Sequence, residues 1–475
     1  MTTALILLPL VAALAVWVLP LPGRVAGAVA FLVMLAELAL WGGAVARFDF
    51  ERSLQLVDRQ EWFSDLNVSY HVGFFGFSLW FAGLTILVAA AAIGYAWWVN
   101  RERGRAYHGL MLFLTGSVVG VFASQDLLLF YVFFEAMLIP LYVLIGVWGG
   151  ARRVQATVKF VIYTMAGSLL MLASIIAFGL SQGTFDLVDS GQSQSVWILL
   201  GFLVAFAVKA PVFPFHGWLV DAYRESPPEV AAILSGVVSK AAAYGLLRIV
   251  LAKFGQPVDD LQLLVLVLAA TGLVYASLLG FRARDVRTVV AYSSMAQMCL
   301  IVMGVFSLNE LGVNGAILHS VAHGLVSAAL FLLAGMVEAR TGGTTDFDHI
   351  GGFAKGRPAL ATLVLVVGVI GLAVPGSVVF VGEFLILAGV YDAGWWWSAI
   401  GAAGIVLAAM YMLRAISGVL HRSREIQAPA GARDLRGPEL AVVVPLVAGL
   451  LFLSGWPAAV TERSFPIQNV EEAAP

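Results

Sequence analysis

Lys209 and Lys240 each stand inside an apolar run long enough to cross a bilayer, and Pro211 and Pro214 break the first run just after its lysine. An ammonium at bilayer depth costs about 2.5–3.5 kcal/mol on insertion scales, so such a residue is kept for what it does with a charge or a proton. Proline removes a backbone donor and frees carbonyls of the preceding turn, which only a protein-lined or wet cavity accepts at that depth. A buried lysine beside a broken helix therefore points to an ion path. The plainer reading is an ammonium snorkelling to the interface. It fits Lys240 least, because about ten apolar or small residues flank it on either side.

Acids and imidazoles lie in similar runs. Glu135 is mid-run in FYVFFEAMLIPLYVLIG, and Glu383 lies in VPGSVVFVGEFLIL, eight residues past Pro375. His319 and His323, four apart in LHSVAHGLVSAALF, share one helix face. Imidazole gains and loses a proton near neutral pH, so two on one face suit a relay better than a packed core, with His323 the stronger candidate. Glu37 reads equally well as a neutral, structural carboxyl. Arg248 and Arg414 lie near run ends and read as snorkelling. Together these groups can pass protons along the membrane midplane. The bland alternative is a structural subunit whose charges only zip helices together.

Composition supplies the helices that must hold them. Hydrophobic residues make up 61% of the chain and charged residues 12%, against about 45–50% and 25% in soluble domains. Fourteen runs are long enough to span, at 3–20, 25–46, 73–98, 107–124, 126–148, 157–180, 195–215, 229–252, 260–280, 286–306, 312–338, 359–390, 395–420 and 438–456. The first has no basic leader or small-residue cleavage site and reads as a retained span. Loops are short apart from a mixed-charge one at 47–72 and others at 338–358 and 421–438. Odd-numbered loops carry 18 Lys and Arg, and even loops with the C-terminal tail carry 5. The positive-inside rule then puts odd loops in the cytoplasm and both termini outside. The formal net charge of -2 offers no basic surface for nucleic acid. The single Cys299 excludes a disulfide framework and a protein-only iron–sulfur site, which takes about four thiolates. Neither a dinucleotide-binding G-x-G-x-x-G nor a Walker A loop is present, so no cofactor is expected in this chain.

A faint repeat pairs spans 4–8 with spans 9–13. Lys209 and Glu383 then fall in the fourth span of each set, the seventh and the twelfth, and both spans contain prolines. Five spans per set is an odd number, so the second set would run inverted. The expected fold is an all-α polytopic membrane protein of about fourteen helices with two inverted five-helix repeats and broken helices 7 and 12. Residues 1–106 would hold spans 1–3, 107–252 the first repeat, 260–420 the second, and 421–475 the last span and tail.

Five motifs carry a family resemblance: DLLLFYVFFEAMLIPLYVLIG (126–146), AFAVKAPVFPFHGWL (205–219), SKAAAYGLLR (239–248), AHGLVSAALFLLAG (322–335) and PGSVVFVGEFLIL (375–387). Over about residues 70–420 the chain resembles the proton-translocating antiporter-like subunits of respiratory complex I, most closely the M type. The resemblance implies fourteen helices, the inverted repeats and a polar axis at the midplane. It implies Glu135 and Lys209 as an ion pair, Lys240 as the central relay, His323 as a relay histidine and Glu383 as the terminal group. Glutamate at the last position separates the M type from L, N and Mrp-type relatives, which usually carry lysine. The chain departs from the family at Phe75, where an acid is usual, and at Tyr223 and Gln297, where histidine is common.

The function expected is proton translocation in an NADH-quinone oxidoreductase, driven by quinone reduction in partner subunits. Implied partners are the L-, N- and K-type membrane subunits and the bilayer, in the cell inner membrane. The alternative in the same class is an ion-translocating subunit of an Mrp-type antiporter or membrane-bound hydrogenase. Three geometric expectations follow. Glu135 and Lys209 should lie within direct or one-water reach. Glu383 should face protein or water, not lipid. Counted back from the short loop between spans 10 and 11, Gln297 and His319 lie at similar depth and should face each other, as if glutamine and histidine had exchanged places.

Overall fold

A computed structural model of the protein describes residues 1–421, 429 and 431–464. Among them, eleven helices are long and apolar enough to cross a membrane, from Gly23–Val45 to Gly437–Gly455. These correspond to eleven of the fourteen expected spans. The remaining spans fall on the shorter apolar helices Thr2–Val18, Val196–Lys209 and Pro358–Gly371. The seventh span stops at Lys209, and the twelfth is two helices, Pro358–Gly371 and Val378–Ala393. Residues 422–428 and 430 of the 421–438 loop, and residues 465–475 of the C-terminal tail, lie outside the described residues.

The fold is the all-α polytopic one expected, but the mixed-charge stretch at 47–72 is not an open loop. Strands Gln55–Phe63 and Val68–Phe74 form an antiparallel hairpin with Arg59 opposite His71. The first strand is largely exposed and the second is buried against the helix ends.

A cap motif recurs in each of the two five-helix sets. Asp126 accepts from the backbone N–H groups of Leu128 and Leu129 at the start of Leu127–Trp148, and Asp285 accepts from Thr288 at the start of Val286–Val305. Each aspartate forms an isolated antiparallel bridge to a second aspartate, Asp186 or Asp346. Those two residues are positioned alike. The Asp186 N–H donates to the Thr184 hydroxyl and the Asp346 N–H to the Thr344 hydroxyl. Their carboxylates then accept from Val188 and Asp348. One threonine–aspartate turn thus locks the same pair of helices in both sets. By the loop charge count the two locks stand on opposite sides of the membrane.

Glycines let the central helices approach closely. A Cβ at Gly324, on Glu310–Glu338, would lie 2.6 Å from the carbonyl oxygen of Gly236. A Cβ at Gly382 would lie 3.1 Å from the His319 Cα. Without a hydrophobic drive between helices in lipid, such small-residue crossings are where packing holds a bundle together. Lys240 lies one turn beyond Gly236, His323 is next to Gly324, and Glu383 is next to Gly382. The crossings therefore bring the polar side chains to the centre.

A buried polar line

Lys209 is the last residue of Val196–Lys209, at the negative end of that helix dipole. Pro211 has no N–H, so the accounting of the broken turn shifts by one. The Val212 N–H donates to Ala207 O at 2.9 Å, and the Trp218 indole N–H donates to the freed Val208 O at 3.0 Å. Lys209 is buried, and its ammonium stands 4.8 Å from the centre of the Phe134 ring. Glu135, the next residue, is half-buried and acts on Lys209 electrostatically. No ion pair within 4.0 Å joins the two among the described residues, so of the two arrangements expected, direct or one-water reach, the direct contact is not formed. The aromatic face of Phe134 lies against the ammonium.

Lys240 is fully buried in Pro228–Leu251, between two π-helical turns, Leu234–Val238 and Leu246–Leu251. The first turn explains how an ammonium is held without a carboxylate. A π turn displaces carbonyls from their i−4 partners, and Lys240 Nζ donates to the Ser235 carbonyl at 2.8 Å and to the Ser239 hydroxyl at 3.3 Å. The Ser235 hydroxyl donates to Ser294 Oγ at 2.8 Å and also contacts the Ser327 hydroxyl. These serines link the lysine helix to the helices that carry Gln297 and the two histidines. Sequence reasoning passed over them, because lone serines in apolar runs carry no signal of their own.

From Lys240 the line turns along Glu310–Glu338. The rings of His323 and His319 lie 6.2 Å apart and 22° from parallel, on one face as expected. Both histidines are close enough to Lys240 to feel its charge. His319 Nε2 is 2.7 Å from Gln297 Oε1, and Gln297 Nε2 donates to Glu383 Oε1 at 3.1 Å. An amide oxygen only accepts, so the hydrogen in the first contact belongs to His319 Nε2. Gln297 and His319 thus meet across the contact between their helices, and Gln297 touches Glu383 at the end of the line. Glu383 is 2% exposed and faces the bundle interior while its neighbour Phe384 faces outward at 58%. Its half-helix begins at Val378, with Ser377 as cap and Gly376 at φ +96° in the preceding turn, a conformation that suits glycine. Three buried polar atoms along the line have no protein partner: His323 Nε2, His319 Nδ1 and Glu383 Oε2.

Other charges have local duties. Arg248 does not snorkel. It is buried, its Nε donates to Gln125 Oε1 at 2.9 Å, and its guanidinium lies 4.8 Å from the centre of the Phe75 ring. Arg414 is half-buried at its helix end, bonded to the Phe281 carbonyl. Glu37 is buried with neither carboxyl oxygen partnered and touches none of the line. Tyr223 is buried beside Phe331. On the side of the hairpin, Asp186 takes His71 Nδ1 at 2.6 Å and Arg59 at 3.2 Å. Burial pushes the Asp186 carboxyl up, but the bond with His71 and the backbone N–H of Val188 outweigh it and hold it below the ordinary carboxylate value. At the other end, Glu229 is gripped by Arg101 through two bonds, at 2.7 and 2.9 Å, and by the Tyr107 hydroxyl at 2.6 Å. Burial alone would lower Arg101, but the Glu229 carboxylate outweighs it and raises it above its usual value.

Residues 124–410 match the family described as NADH:quinone oxidoreductase/Mrp antiporter, TM. NADH-quinone oxidoreductase subunit M of Rickettsia felis is 34% identical over 415 residues, 86% of this chain and 84% of the relative. NADH-ubiquinone oxidoreductase chain 4 of Arabidopsis thaliana is 33% identical over 92% of this chain and 88% of the relative. A chain of respiratory complex I from Thermus thermophilus with bound NADH superposes with a TM-score of 0.91 at 29% identity, over the whole of both chains. A chain of the Mrp complex from Dietzia sp. DQ12-45-1b has the same fold, with a TM-score of 0.86 at 23% identity over 100% and 99% of the two chains.

Proposed function

Because the chain belongs to the NADH:quinone oxidoreductase/Mrp antiporter membrane family, we propose that its polar line carries protons sideways through the membrane arm of an NADH-quinone oxidoreductase. The chain is an antiporter-like, multi-pass membrane subunit that assembles with other membrane subunits. On this reading Glu135 and Lys209 receive the stimulus from a neighbouring subunit. Lys240 is the central carrier, His323 and His319 relay, and Glu383 is the last group of the line. The chain holds no redox centre, so the work of moving each charge, about 2.3 kcal/mol per 100 mV, comes from quinone reduction in its partners. Odd loops and their excess of Lys and Arg face the cytoplasm of a cell inner membrane, and the termini lie outside.

The observation that carries the reading is the direct hydrogen-bonded run His319–Gln297–Glu383, buried in the bundle interior. Helices zipped together by ion pairs would not leave His319 Nδ1 and Glu383 Oε2 without partners at membrane depth. The L- and N-type and Mrp-type alternatives are less well supported, since the relatives of about one-third identity are M-type chains. The test is NADH-driven proton uptake by the assembled complex in proteoliposomes. Glu135→Gln and Glu383→Gln should each abolish uptake and slow quinone reduction through coupling. Normal uptake by both fully assembled variants would overturn the assignment.

A further inference from the structure

Gln297 cannot titrate, yet among the described residues its amide joins two groups that can, His319 and Glu383. It is 5% exposed, and both functions of its amide are in use: Oε1 accepts from His319 Nε2 at 2.7 Å, and Nε2 donates to Glu383 Oε1 at 3.1 Å. The far atom of each neighbour, His319 Nδ1 and Glu383 Oε2, is buried without a protein partner. The Tyr411 hydroxyl, bonded to Ser293 Oγ at 3.1 Å, also lies beside the Gln297 amide, and the Lys240 side chain lies near His319. A hydroxyl can donate or accept, so Tyr411 serves the amide in either orientation.

We propose that Gln297 is a proton gate whose amide reverses each time a proton passes from His319 to Glu383. The proposal rests on the axis described above. The orientation seen requires a hydrogen on His319 Nε2 and none on Glu383 Oε1. A proton arriving at Nδ1 makes His319 an imidazolium, and the amide still fits. The Nε2–H bond then breaks and an O–H bond forms on Glu383 Oε1, the oxygen facing the amide, by way of one water molecule beside the amide. The imidazolium and the carboxylate both become neutral, and no other atom changes its proton count. In that product the amide oxygen faces a bare ring nitrogen, and the amide NH2 faces a carboxylic O–H. Both contacts have turned into donor against donor or acceptor against acceptor. Half a turn about the last side-chain torsion restores them, because amide O and NH2 occupy nearly the same space. Gln297 Nε2 then donates to His319 Nε2, and Oε1 accepts from Glu383. Reversal follows the hop and opposes its return, so a residue that carries no proton gives the step a direction. Gln297 is a positioning residue in this scheme.

The experiment uses the complete complex in proteoliposomes with NADH and quinone, in wild type, Gln297→Leu, Gln297→Met and Glu383→Gln. Proton uptake is measured beside infrared difference spectra, energised minus resting, on protein carrying 13C-labelled glutamine. The expected result is a label-sensitive amide carbonyl shift in wild type. It should be absent in Gln297→Leu and in Glu383→Gln, with proton uptake at least about tenfold slower in Gln297→Leu. Methionine at 297 fills the same space without either hydrogen bond and should behave like leucine, which covers the case that leucine prevents assembly. If Glu383→Gln stops uptake while the assembled leucine or methionine variant pumps at the wild-type rate, the gate is wrong and the axis stands. A labelled-glutamine shift that survives in Gln297→Leu also overturns the gate. If Glu383→Gln itself pumps normally, the axis beneath the gate falls.

Discussion

Replacing Lys240 by methionine should stop proton transport and leave the protein about as stable as before. The magnitude follows from how the ammonium is held. Removing a charge from bilayer depth returns about 2.5–3.5 kcal/mol. Against this stand two hydrogen bonds, at 2.8 Å to Ser235 O and 3.3 Å to Ser239 Oγ. A bond from a charged donor contributes about 1.5–3 kcal/mol at good geometry, and the longer one contributes less. No acceptor is orphaned, since Ser235 O keeps the Ser239 hydroxyl at 2.9 Å. Methionine has nearly the length of the lysine stem, so no cavity opens. The opposing terms cancel to within about 2 kcal/mol. The assay pairs thermal inactivation of the purified complex with proton uptake. Loss of uptake with an inactivation midpoint close to wild type is expected. Wild-type uptake by an assembled Lys240→Met complex would refute the carrier role. A collapse in stability would show that the lysine holds the bundle together.

Two further outcomes concern the ends of the bundle. Arg101→Gln strips Glu229, itself fully buried, of its bidentate partner. Removing one member of a buried pair costs about 3–5 kcal/mol, so this variant should lose thermal stability well beyond Lys240→Met, while the apolar double change Arg101→Met, Glu229→Leu recovers much of it. The hairpin should loosen in acid. The Asp186 carboxyl is held below its ordinary value in the folded protein. Its contribution is therefore full above the unfolded value of about 3.9 and is lost as pH falls through the lower folded value. Protease sensitivity of residues 55–74 should rise below about pH 4 in wild type. In Asp186→Asn it should already be high at neutral pH. Flat protection down to about pH 3 in wild type would count against the role given to Asp186.

The helices were legible because lipid demands long apolar runs, and the charges inside those runs stand out by their cost. The meeting of Gln297 with His319 was legible too, since residues at equal distance from a tight helix–helix loop lie at equal depth. What escaped was whatever depends on backbone detail. The π turns around Lys240 leave no mark in residue types, so Ser235 O could not be foreseen as its ligand. Arg248 was misread because its partner, Gln125, sits in a helix connection far away in the chain. The hairpin was missed because VSYHVGF is short and follows a run of charges. The repeated lock was in view as a threonine two residues before an aspartate at 184–186 and 344–346. It could be noticed only once each turn was seen to bridge to a helix cap.

The two halves of the line are built differently, and the difference has a physical reason. Around Lys209 the contacts are loose: a ring face, a half-buried carboxylate without direct contact, and a helix end whose dipole favours the cation. Such a site changes its energy when a nearby charge or helix moves by a small amount, because Coulomb terms in a low dielectric act over several ångströms. Around Glu383 the contacts are short, directional hydrogen bonds between side chains locked by glycine crossings at Gly315 and Gly382. Hydrogen bonds of that kind respond little to distant charge but strongly to which atom holds a proton. On the proposed axis, a stimulus arriving at Glu135 would be electrostatic or mechanical, whereas the far end would be governed by proton position. A loose receiver feeding a tight, proton-sensitive end would then favour flow from Lys209 toward Glu383, with Lys240 between them held by neutral groups.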